Sequence, residues 1–138
     1  MVKSFARTIK VTEDPALRAE LREHLRTGWP EVLGALKDAG VRKSKIFLSG
    51  CRLFAYFECV DDFDPADGFD SWVYTNEKCI EWNQLMQRYE EPVEEADQSA
   101  GEWWKNMEEV FCFETQHELQ CFEPAHSAAA TYNNSYMY

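Results

Sequence analysis

The order in which strand and helix patterns follow one another constrains the fold of this chain more than any other feature. Apolar and polar residues alternate over 4–11, which predicts a half-buried strand. Apolar residues spaced by three and four positions then predict an amphipathic helix over 15–39. The rest of the pattern predicts two strands of a hairpin, a second helix and a last strand, over 45–48, 53–59, 69–88 and 109–113.

This order, strand, helix, strand, strand, helix, strand, is typical of an α+β ferredoxin-like βαββαβ sandwich, in which both helices cover one face of an antiparallel sheet. The other face then needs cover, so we expect a homodimer with a shared α+β barrel. The domain is predicted to occupy residues 1–114. The small and polar residues after it predict a partly disordered C-terminal tail over 115–138.

Proline and glycine positions predict where the first helix starts, bends and ends. Asp14 is a suitable N-terminal cap and Pro15 suits the first helical position. Gly40 is a suitable C-terminal stop. Gly28 and Pro30 interrupt the pattern, and proline removes one backbone donor, so we expect a kink there.

Two acidic stretches are predicted to be loops. Residues 61–68 have the composition of a calcium-binding loop, but positions that need oxygen ligands hold Phe63, Pro65 and Tyr74. A solvated connector is therefore favoured. Residues 90–101 are acidic and lack periodicity, which predicts a mobile loop over or beside a cleft.

Charge and hydropathy exclude several classes of partner. The chain has 14 Lys and Arg against 25 Asp and Glu, a formal net charge of −11, whereas nucleic acids and anionic membranes require basic surfaces. No apolar run approaches the roughly 20 residues of a membrane span, and the N-terminus lacks the apolar core of a signal peptide. We therefore expect a cytoplasmic protein with no nucleic-acid or membrane partner.

Five cysteines without a CxxC pair indicate reduced and mostly buried thiols. Cys112, His117, Cys121 and His126 recur every four or five residues and leave zinc as an alternative, although structural zinc sites usually pair ligands at closer spacing. Cys112 also falls in the predicted last strand, where a small thiol is ordinary core. We predict no metal.

Two features suggest chemistry. His24 follows Glu20 by one helical turn at the edge of the apolar stripe, so the carboxylate can orient an imidazole acid/base; a plain surface pair is the alternative. Trp82, followed by Asn83, offers a ring on which a sugar stacks and an amide for its hydroxyls. A core built from large side chains is the alternative for Trp82.

Three motifs follow one another along the chain, namely His24 with Trp29-Pro30-Glu31-Val32, then Cys79-Ile80-Glu81-Trp82, and Trp103-Trp104-Lys105-Asn106-Met107 continuing to Phe111. With these motifs in this order, the chain resembles the L-rhamnose mutarotase family over about residues 5–114. The resemblance implies a dimeric α+β barrel that interconverts the α and β anomers of a 6-deoxy-hexose without a cofactor. On this basis His24 is the catalytic acid/base with Glu20 as its partner, and Trp82 and Asn83 bind the sugar.

The chain departs from the family pattern at several site positions. The family places its histidine four residues before the Trp-Pro-Glu and a tyrosine one turn earlier, where this chain has Leu25 and Leu21. A one-residue bulge in the helix would restore His24. Asn83 replaces a second tryptophan, and Ser44 replaces a tyrosine. A non-catalytic relative that binds a small molecule or a protein is therefore the alternative function.

Overall fold

Nine regular elements form the part of the chain that the computed structural model describes, residues 2–115. In chain order they are β1 (Val2–Val11), α1 (Pro15–Thr27), α2 (Pro30–Ala39), β2 (Val41–Ser49), β3 (Arg52–Val60), α3 (Pro65–Ser71), α4 (Glu77–Gln87), β4 (Glu90–Glu91) and β5 (Lys105–Met107). Single 3₁₀ turns lie at Trp72–Tyr74 and Gln98–Ala100.

The strands form one antiparallel sheet in the order β2-β3-β1-β4, and β5 also pairs with β1. The central pairing of β1 with β3 sets Thr8 opposite Phe54, and β5 sets Asn106 opposite Arg7. This order, with helices between β1 and β2 and between β3 and β4, confirms the predicted α+β ferredoxin-like class.

The main core lies between the helices and one face of the sheet. Ile9 and Val11 of β1 and Leu53 of β3 are almost completely buried there, as period-two alternation predicts. The helices contribute Leu21, Val32, Ala35, Cys79, Trp82 and Met86 to the same cluster. The sheet and the helices together therefore hold the walls of any space left between them.

The first helical segment is broken rather than kinked. Helix α1 ends at Thr27, because Gly28 takes a φ of 63°, and α2 begins at Pro30. Proline at the first helical position forfeits no hydrogen bond, so a new start costs less here than a bent continuous helix. The predicted ends are confirmed: the Asp14 carboxylate accepts from the Ala16 backbone N–H at 2.9 Å, and Gly40 is left-handed.

The prediction of one helix over 69–88 is wrong. Helix α3 starts earlier, where the Asp64 carboxylate accepts from the Ala66 backbone N–H at 3.0 Å, and a 3₁₀ turn separates it from α4. Asn76 caps α4 through the backbone N–H of Cys79, also at 3.0 Å. The connector over 61–68 is only partly solvated, because Phe63 is buried against Phe69.

Residues 90–101 are more firmly held than a mobile loop. Glu90 and Glu91 pair with β1, Val93 is fully buried, and Glu94 forms ion pairs with Lys10 and Arg52 at 2.9 and 3.4 Å. The stretch therefore packs against the sheet instead of lying free. The expectation that it borders a cleft is met by Glu90, as shown below.

The last strand is also placed differently from the prediction. It covers Lys105–Met107, whereas the apolar run over 110–113 forms no regular element and Cys112 is exposed. Pairing with β1 selects the strand, and local β-propensity does not decide it. The prediction that Cys112 is a core thiol is therefore wrong.

Several predictions fall outside the described residues, namely the tail beyond residue 115 and the possible ligands His117, Cys121 and His126. Within residues 2–115, no three His, Cys, Asp or Glu side chains are grouped so that they could hold a metal ion. Over the same stretch, no helix has the length and apolar character needed to cross a bilayer.

Candidate functional site

A cavity of about 570 Å³ lies between the helices and the inner face of the sheet. Small-molecule sites typically have volumes of roughly 300–1,000 Å³. Strands β1, β2 and β3 contribute residues to its walls, helices α1, α2, α3 and α4 contribute others, and Trp104 adds to them. The break between α1 and α2 opens onto it, since Gly28 and Trp29 also line the cavity.

Aromatic rings form much of the cavity wall. Trp82 and Trp29 meet edge to face with their ring centroids 5.2 Å apart, and Trp72 and Trp104 line the same space. Trp82 is buried in the core cluster and also borders the cavity, so the two interpretations offered by the sequence are compatible. Asn83, the next residue on α4, is half-buried and lines the cavity as well.

The apolar wall is interrupted by charged side chains. Arg7 projects from the inner face of β1, with its guanidinium carbon 4.7 Å from the ring centroid of Phe69 and 5.6 Å from that of Trp104. Its Nε donates to Asn106 Oδ1 at 3.0 Å, which ties the group to β5. Burial lowers the pKa of Arg7, and the carboxylate of Asp70 is the strongest opposing charge.

Glu90 provides a carboxyl group in the same cavity. Desolvation by burial raises its pKa from 4.5 to about 7, and the positive charge of Arg7 opposes the shift. Its carboxyl forms no hydrogen bond with any residue of the described 2–115 stretch. Every fully enclosed side-chain nitrogen or oxygen in this stretch has a hydrogen-bond partner. The oxygens of Glu90 have no such partner, so they are not fully enclosed and are open to the cavity that Glu90 lines.

The structure brings together two of the four site residues predicted from the sequence. Trp82 and Asn83 line the cavity, but His24 and Glu20 do not; from helix α1, Leu21 and Leu25 reach it instead.

Glu20 and His24 both contact the buried Tyr89, outside the cavity. The Tyr89 hydroxyl donates to the Glu20 carboxylate at 3.0 Å, and the His24 ring centroid lies 5.9 Å from that of Tyr89. The catalytic role of His24 and Glu20 stays a prediction, and their positions add no support to it.

Arg7 and Glu90 are two of the charged cavity residues that the sequence analysis missed. Arg7 had a usable signal, because it is the one charged residue at the alternate positions Phe5, Arg7, Ile9 and Val11 of β1. Glu90 had no such signal, because it is the first residue of an acidic stretch and the next residue, Glu91, is exposed.

A family model and two relatives match most of this chain. The family model for L-rhamnose mutarotase matches residues 4–113. A UPF0734 protein of Dictyostelium discoideum is 34% identical over 110 residues, which cover 79% of this chain and 88% of that protein. An L-fucose mutarotase of Xanthomonas campestris pv. campestris is 29% identical over 115 residues, covering 78% of this chain and 86% of that one.

A solved structure supports the fold. The crystal structure of an L-rhamnose mutarotase from Formosa agariphila superposes with a TM-score of 0.58 at 23% identity, covering 81% of this chain and 99% of that one. The family model spans most of the described residues, and the predicted resemblance is confirmed by it. The chain belongs to the L-rhamnose mutarotase family.

Proposed function

We propose that this chain is a mutarotase-like isomerase that interconverts the α and β anomers of a 6-deoxy-hexose, such as L-rhamnose or L-fucose, without a cofactor. The observation that carries the proposal is the cavity itself, which combines tryptophan rings, an amide and charged groups in about 570 Å³. Family membership and the L-fucose mutarotase relative favour the same substrate class.

The cavity chemistry suits a deoxy sugar. A pyranose has apolar C–H faces that stack on aromatic rings, and Trp82 supplies such a ring. Its hydroxyls need donors and acceptors, for which Asn83 has an unpaired amide within the described part of the chain. The 6-methyl group needs an apolar wall, and Leu21 and Leu25 provide one.

The reaction needs only proton transfer and positioning. Opening the ring adds a proton to the ring oxygen and removes one from the anomeric hydroxyl, and closure on the other face reverses both transfers. A group that titrates near neutral pH performs both roles best. The sequence-based assignment gives this role to His24, with Glu20 as its partner.

Exchange NMR tests the proposal. We expect wild-type protein to accelerate anomer exchange of L-rhamnose or L-fucose above the buffer rate, and Asn83→Ala to raise the KM by up to about tenfold, the value of one hydrogen bond. The matched control is Gln84→Ala, an exposed neighbour on α4 that does not line the cavity. Equal KM values for the two variants would exclude Asn83 from sugar binding.

A second candidate function is a non-catalytic binding protein. It is favoured by Leu21 and Leu25, which occupy the cavity wall where the family pattern places a tyrosine and a histidine. Saturation-transfer NMR separates the two functions. A sugar that shows saturation transfer from the protein while its anomers exchange at the buffer rate establishes binding without catalysis.

We also propose that the chain is a homodimer. Strand β2 lies at the edge of the sheet, and its Ile46 both lines the cavity and remains 42% exposed. A second copy packed along this edge covers that side chain and closes the cavity. Light scattering tests this, since a mass of 16.1 kDa, that of a single chain, would contradict it.

A further inference from the structure

We propose that Glu90 is the group that exchanges protons with the sugar, using both oxygens of its carboxyl. The proposal rests on the function proposed above and assigns its acid/base chemistry to a residue on β4 rather than to His24. It begins from position, because Glu90 reaches the cavity that Trp82 and Asn83 line, whereas His24 does not.

Rigid elements hold Glu90 in place. It follows α4 after two residues and pairs with Val11 of β1, and the Thr12 backbone N–H donates to the Tyr89 carbonyl at 2.8 Å. Tyr89 on one side and Val93 on the other are fully buried. A side chain whose backbone is fixed in this way keeps a constant position towards a bound substrate.

The carboxyl of Glu90 is available for a ligand. It has no hydrogen-bond partner among residues 2–115, and its oxygens are open to the cavity. A desolvated carboxyl without a partner destabilises a fold, and such groups are concentrated at functional sites. A sugar hydroxyl in the cavity supplies the missing partner.

Charged side chains from several elements line the same cavity as this carboxyl. Arg7 comes from β1, Arg22 and Arg26 from α1, and Asp70 from α3. Arg7 is the charge that acts on Glu90 most strongly, and Asp70 and Glu102 partly neutralise Arg7. The balance leaves desolvation dominant, so the protonated form of Glu90 persists to near-neutral pH.

The protonated carboxyl matches the reacting atoms of the sugar. The anomeric hydroxyl oxygen and the ring oxygen are bonded to one carbon, as are the two carboxyl oxygens, so the two pairs have similar separations. The O–H of Glu90 donates its proton to the ring oxygen while its second oxygen accepts the anomeric proton. The C–O bond to the ring oxygen breaks, the aldehyde C=O forms, and the carboxyl ends protonated on its other oxygen.

Closure on the opposite face of the aldehyde runs the same transfer backwards after rotation about the C1–C2 bond. The ring oxygen attacks the aldehyde carbon and returns its proton, and the new anomeric oxygen takes one. No net proton is gained or lost, and no co-reactant is needed. Because the active form is the carboxylic acid, the catalysed rate falls as the pH rises through about 7.

The test is anomer exchange NMR of L-rhamnose and L-fucose from pH 5 to pH 9, with wild type, Glu90→Gln and the exposed neighbour variant Glu91→Gln as the matched control. We expect Glu90→Gln to lose about a hundredfold or more of the catalysed rate and all of its pH dependence. Glu91→Gln retains both, because Glu91 lies outside the cavity.

The possible failures differ from one another. Exchange at the buffer rate by wild type overturns the proposed function and this inference with it. Catalysed exchange that survives in Glu90→Gln overturns only the assignment to Glu90. The same holds if exchange is lost in His24→Ala but kept in Glu90→Gln. A wild-type rate that rises through pH 7 excludes the protonated carboxyl as the active form. Saturation transfer from Glu90→Gln to the sugar shows that the variant still binds sugar, so that a lost exchange rate in this variant supports the assignment.

Discussion

Replacing Glu90 by glutamine is expected to change the pH dependence of stability in a direction opposite to that of most acidic residues. The folded state raises the pKa of Glu90 to about 7, so folded protein binds a proton that unfolded protein has released. The associated stability is fully present below pH 4.5 and is lost as the pH rises to about 7. Glutamine keeps the shape and carries no charge, so this loss disappears.

The magnitude follows from the two pKa values. A pKa of about 7 against 4.5 corresponds to about 3 kcal/mol at about 1.4 kcal/mol for each tenfold change in proton affinity. Between pH 4.5 and pH 8, the free energy of unfolding of Glu90→Gln should therefore rise by about 3 kcal/mol relative to that of wild type. Glu90 is half-buried and its oxygens are open to the cavity, so solvent screening makes about 3 kcal/mol an upper value.

Urea unfolding of wild type, Glu90→Gln and Glu91→Gln at pH 4.5, 6 and 8 measures this effect. We expect the Glu90→Gln difference to grow between pH 4.5 and 7 and then to level off, whereas the exposed Glu91 position serves as the control. Parallel stability curves for wild type and Glu90→Gln would refute a desolvated carboxyl in the cavity. A stability difference between Glu90→Gln and wild type that shrinks as the pH rises would refute the upward direction of the Glu90 pKa shift.

Two further predictions concern stability. Gly40→Ala should lower the free energy of unfolding by about 2 kcal/mol, because Gly40 has a φ of 110° and an added Cβ meets Val60 Cγ2 at 2.9 Å. Gly34→Ala should raise it by about 1 kcal/mol, because Gly34 lies in the middle of α2 with open space around it. Thermal melts of the pair check both signs, and equal shifts would contradict the backbone argument. Tyr89→Phe should cost about 1 kcal/mol, because the buried ring loses its hydrogen bond to Glu20; a neutral effect in urea unfolding would contradict this.

Local signals predicted much of the fold. Alternation over β1, the hairpin of β2 and β3, and the caps at Asp14 and Gly40 all depend on residues close together in sequence. The helix break at Pro30 was harder to predict, because Gly28 and Pro30 are compatible both with a kink in one helix and with the start of a new helix. The choice depends on how each half packs against the sheet.

Tertiary pairing decided the elements that local patterns placed wrongly. The run over 110–113 is richer in β-prone residues than Lys105–Met107, yet only the latter pairs with β1, where Arg7 Nε donates to Asn106 Oδ1. The site shows the same division. Trp82 and Asn83 were predicted from residue type, whereas Glu90 differs from Glu91 only in burial, which the folded chain determines.

Anomer exchange by the wild-type protein is the most direct test of whether the cavity isomerises a sugar. The measurement is exchange NMR of L-rhamnose and L-fucose at pH 6, with and without protein, over a range of sugar concentrations. We predict a protein-dependent exchange rate that saturates with one or both sugars. An exchange rate equal to that of buffer for both sugars, at every protein concentration, would contradict the account.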